Sequence, residues 1–171
     1  MRLMSEPAPA AMLVGRIEQA MAAGGLKPIR AIIGGPTAIV GSTSKFRWSW
    51  MATKLNTLIY AASFLPGTTS AFLDQYMATA CQDAINRKGA MRGLQVGVAA
   101  VTVAAVDQAT PELTAWASTP HGRRFAALTF PVLVDASTRQ VVYPERMMLG
   151  ALYTGYLKDL VRTYIEAPTR Q

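Results

Sequence analysis

The chain has 171 residues, 51% of them hydrophobic and only 16% charged, with a net charge of +7. That length suits a single domain, and the longest uncharged run, the 14 residues from Gly93 to Val106, is too short for a membrane-spanning helix, which needs about 20. The single cysteine, Cys81, excludes an internal disulfide.

Residues 1–10, with the stretch SEPAPA, read as a flexible tail, and 11–171 as one domain. No secretory signal is recognisable near the start, and with the lone thiol this points to a cytoplasmic protein. Leu13, Val14, Ile17, Ala20 and Met21 recur at helical spacing and predict a helix over 11–23, stopped by Gly24-Gly25. The segment 27–40, KPIRAIIGGPTAIV, predicts two short strand pieces around the Gly34-Gly35-Pro36 bend. GSTS, 41–44, reads as a turn, and 46–53 as a strand of period two continuing into the apolar run 55–64. A strand through 46–64 would be too long for a small domain, so a break is expected near Lys54 to Asn56.

Pro66-Gly67-Thr68-Thr69 predicts a turn into a helix over 70–87, capped by Thr69 or Ser70 and carrying the stripe Leu73, Met77, Ala80, Cys81, Ala84 and Ile85. The valine-rich segment 93–106 has the character of a strand buried on both faces. Thr110-Pro111 opens a short helix over 110–118. Strands follow at 125–134 and 139–143, joined through Asp135, whose carboxylate can close an Asx turn. A last amphipathic helix carries Leu149, Leu152, Tyr153, Tyr156, Leu157, Leu160, Val161, Tyr164 and Ile165, with Pro168 beyond its end.

The order α-β-β-α-β-(α)-β-β-α predicts an α+β domain: one central, mostly antiparallel sheet of about five strands covered by helices. This element order is similar to that of roadblock and longin modules, which are scaffold and dimerisation domains. The resemblance lies in the order alone, and the helix near 110–118 departs from it.

Few residues combine into a chemical site. Gly34 to Lys45 lacks the Gly-Lys spacing of a phosphate loop, and a strand rather than a helix follows it. His121 is the only histidine and has no serine or cysteine placed beside it by the pattern; Cys81 sits on an apolar helix stripe. Asp107 and Asp135 fall at strand ends, where capping is the ordinary use of a carboxylate. No catalytic, cofactor-binding or metal-binding set is therefore assigned, and no cofactor is expected.

The basic excess favours an anionic partner, although the cations are dispersed and form no long run. Lys45, Arg47, Lys54, Arg123 and Arg124 are the candidate anion contacts. In an extended strand Phe46, Trp48 and Trp50 share one face and Arg47 takes the other, which suits rings turned to a core or interface better than a nucleic-acid stacking platform. With Tyr153 and Tyr156, those rings are the candidate interaction residues. The low charge further suggests surface buried against a second copy. The functional expectation is a small non-catalytic interaction or scaffold module that self-associates or binds a protein. The alternatives are a basic nucleic-acid-binding accessory protein and an enzyme with an unrecognised site.

Overall fold

The structure, a computed structural model, describes residues 7–50, 53–87, 96–121, 123–124, 127–147 and 151–171; at 46, 53, 96, 123, 124 and 151 only the backbone is described. One sheet lies between two helical layers, and the class is α+β. The helices are α1 (Pro9–Ala23), α2 (Ser70–Arg87), α3 (Pro111–Ser118), α4 (Ala151–Val161) and α5 (Ala167–Arg170), with a π-helical turn Arg162–Glu166 joining the last two. The strands are β1 (Ile29–Ile32), β2 (Thr37–Arg47), β3 (Thr53–Phe64), β4 (Val96–Val106), β5 (Arg123–Arg124), β6 (Ala127–Asp135) and β7 (Gln140–Val142).

The spatial order is β1-β2-β3-β4-β6-β5, with β7 also on β6. Four of these ladders are antiparallel, but the two in the centre, β3 with β4 and β4 with β6, are parallel. The cause is the connections. After β3 the chain returns through α2, and after β4 through α3 and the two-residue β5, so that β4 and β6 each run in the direction of the strand before the crossover. Parallel strands covered on both faces are apolar throughout, and every residue of β6 is buried. Pro131 lies opposite Thr102 of β4, and on its other side it falls between residues 127–128, which pair with β5, and 133–135, which pair with β7.

The core is split by the sheet. On one face Leu13, Ile17 and Met21 of α1 and Leu157, Val161 and Ile165 of the C-terminal helix pack on Leu55, Ile59, Val101 and Phe130. On the other, Leu73, Met77 and Ala80 of α2 and Leu113 and Trp116 of α3 pack on Leu58, Tyr60, Ala100 and Ala104.

Several boundaries differ from expectation for identifiable reasons. Pro9 and Ala10, placed in the tail, open α1: proline has no N–H to lose in a first turn, and the Ala10 N–H is held by Asp107 Oδ1 at 2.9 Å. GSTS is the interior of β2, not a turn, because it pairs residue for residue with β3. Gly41 is needed there, since a Cβ would come within 2.7 Å of Met21 Sδ on α1. The expected break at Lys54–Asn56 lies instead before Thr53, after a 3₁₀ turn Trp48–Trp50, so β2 and β3 form an antiparallel hairpin with Thr43 opposite Thr57. Pro168 lies inside α5 rather than beyond the helix. The π turn, in which the Ala167 N–H donates to Arg162 O, restarts the helix and leaves proline near a helix start.

Candidate interaction surface at the β2–β3 corner

Along β2 the residues with odd numbers face α1 and α4, beginning with buried Ile39. Lys45 and Arg47 continue that face. The strand ends at Arg47, and the 3₁₀ turn then turns the two tryptophans apart. Trp50 is 3% exposed, whereas Trp48 is 81% exposed. Trp50 lies beneath α4, its Nε1 donating to Leu152 O at 3.2 Å. Its ring meets Tyr153 edge-on at 5.0 Å between centroids and Tyr156 at 5.2 Å.

The separation of cations from rings, expected from a period of two, is not observed. The Arg47 guanidinium carbon stands 5.1 Å from the Trp50 ring centroid and 5.8 Å from that of Tyr156, and Lys45 Nζ stands 5.6 Å from Tyr156. These are cation–π distances. Strand alternation stops at Arg47, and the 3₁₀ turn that follows brings the Trp50 ring round to the Arg47 side. Burial pushes the Tyr156 phenol above its ordinary value, opposed by the neighbouring Thr43 hydroxyl and the Arg47 charge.

The remaining candidates scatter. Lys54, opposite Phe46 in the register, lies on the other face of the hairpin from Lys45 and Arg47. Arg123 and Arg124 form β5 at the far edge, three strand spacings from β3 or about 14 Å. The side chains of Phe46, Arg123 and Arg124 are outside those described.

The carboxylates at the opposite end of the sheet serve as turn and helix anchors. Asp135 accepts from Ser137 N at 2.8 Å, Ser137 Oγ at 2.6 Å, Thr138 N at 3.2 Å and Ala109 N at 3.0 Å. Glu112 accepts from Ser70 N at 2.8 Å and Ser70 Oγ at 2.6 Å, which ties the start of α2 to α3. His121 is half-buried, with Nε2 3.1 Å from Trp116 O, and Cys81 is buried on α2. No group of three or more His, Cys, Asp or Glu able to hold a metal ion occurs among the described residues, and no described helix is long and apolar enough to cross a membrane.

A second feature, which no motif announces, is a cleft of about 580 Å³ on the α2 side of the same hairpin. Ser42, Ser44 and Asn56 line it, together with Lys27 before β1 and Arg87 at the end of α2. These residues are distant in sequence and share no motif. No protein family, curated protein or solved structure matches this chain.

Proposed function

We propose that this chain is a small non-catalytic interaction module that self-associates through the β2–β3 corner, with Trp48 as the anchoring contact. The observation that carries this reading is a large indole, 81% exposed, on a short turn that Trp50 fixes to the core. An exposed aromatic on a rigid support loses little conformational freedom on binding, which is why such residues dominate interface energetics. Leu152, whose carbonyl accepts from Trp50, adds a second exposed apolar side chain at 60%. A cytoplasmic setting belongs to the same proposal and rests on the lone, buried thiol.

A second reading, a basic nucleic-acid-binding accessory protein, gains support from Lys45 and Arg47 standing over the rings. Single-stranded nucleic acid is bound by cations and aromatic faces set together.

Sedimentation equilibrium separates the two. Self-association predicts a mass that rises with concentration, and a Trp48→Ser variant that stays monomeric and stays folded in dilute protein, where the wild type is monomeric too. A wild-type chain that remains monomeric, yet binds a single-stranded oligonucleotide with affinity falling steeply as salt rises, favours the second reading.

A further inference from the structure

We propose that the cleft on the α2 side of the hairpin binds a small phosphate-bearing ligand of about mononucleotide size. Its volume of about 580 Å³ is within the range of small-molecule sites. Lys27 and Arg87 place an ammonium and a guanidinium at the cleft, the latter ion-paired with Asp83, and no carboxylate lines the cleft among the described residues. Ser42, Ser44 and Asn56 add hydroxyl and amide groups able to donate to phosphate oxygens. Leu58 gives part of the wall an apolar character suited to the body of the ligand.

Two further observations point to a built site rather than a chance depression. Lys27 has a φ of +49°, a left-handed backbone that non-glycine residues seldom adopt and that concentrates at ligand sites. Arg87 is held through its Nε by Asp83, and Asp83 is itself anchored by the Tyr60 hydroxyl at 2.8 Å, with Tyr60 fully buried. Asp83 thus acts as a positioning residue, fixing a guanidinium whose remaining N–H groups suit the paired oxygens of a phosphate.

The same phosphate chemistry could be presented by a nucleic-acid strand. The small ligand is favoured because the cations sit at one cavity instead of tracking a groove, as a strand requires. This inference does not depend on the corner acting as an interface.

Titration calorimetry with inorganic pyrophosphate, a 5′-mononucleotide and a single-stranded oligonucleotide tests it. Saturable one-to-one binding of the first two is expected. Lys27→Gln and Arg87→Gln should each weaken it about tenfold, the loss of one charge-assisted hydrogen bond. Arg47→Gln, at the other face, should leave it unchanged. Lys27 is exposed and forms no ion pair among the described residues, so its variant reads binding even if Arg87→Gln disturbs α2. Absence of saturable binding by either small probe overturns the proposal. So does binding that survives both cleft substitutions, or binding by the oligonucleotide alone.

Discussion

Asp135 shows how much of the fold one carboxylate can hold. It is 8% exposed, and its oxygens satisfy backbone N–H groups of Ala109, Ser137 and Thr138, joining the loop after β4 to the turn after β6. Burial acts to raise its pKa. The hydrogen bonds from Ser137, Ala109 and Thr138 outweigh that and hold it below the ordinary carboxylate value. A depressed native pKa means that folding favours the ionised form. The associated stability is present above the unfolded value of about 3.9 and is lost as pH falls through the lower native value. Asp135→Asn should therefore show a smaller loss of stability between about pH 5 and 3 than wild type in urea titrations. Asp135→Ala leaves donors without an acceptor and should cost about 1–3 kcal/mol at neutral pH. An unchanged acid profile in the Asn variant would remove Asp135 from the acid-labile set.

At the scale of elements, the β2–β3 corner depends on two local backbone devices. The β1–β2 reversal uses Gly34 at φ +62° and Gly35 at φ +120°, closed by Ile33 N donating to Pro36 O at 3.0 Å. A side chain at the Gly35 angle is strained wherever it points, so Gly35→Ala should cost about 1–3 kcal/mol by denaturant unfolding. The 3₁₀ turn at the other end of β2 carries Trp50 into the core, and Trp50→Ala should cost about 3–5 kcal/mol. Trp48→Ser should cost little, since exposed positions of this kind seldom matter to folding. The contrast explains what the sequence could convey. Helix α2 is fully legible because Leu73, Met77, Ala80 and Ala84 repeat at helical spacing, and Thr69 Oγ1 accepts from Phe72 N at 3.2 Å as its cap. The tryptophan pair is not legible. Two residues apart in a strand means one face, whereas two residues apart at three per turn means about 240° of rotation. WSW satisfies both patterns, and only the packing of α4 over Trp50 decides between them.

For the whole molecule, the helical and strand content, the single sheet and its coverage follow from periodicity and turn chemistry. The parallel centre does not, because which neighbour a strand chooses is settled by how α2 and α3 cross the sheet. The cleft was hidden for the same reason: Lys27, Ser42, Asn56 and Arg87 meet only after β1, β2, β3 and α2 have assembled. The corner surface was half legible, in its residues but not in their directions. Its proposed role in self-association can be tested through the three tryptophans of the chain, of which Trp50 and Trp116 are buried and Trp48 alone is largely exposed. Acrylamide quenching of tryptophan fluorescence, measured across a range of protein concentrations, follows Trp48 directly. Self-association through Trp48 predicts an accessible fraction in dilute protein, absent from Trp48→Ser, that becomes protected as the concentration rises. A fraction that stays equally accessible at the highest concentration would contradict it.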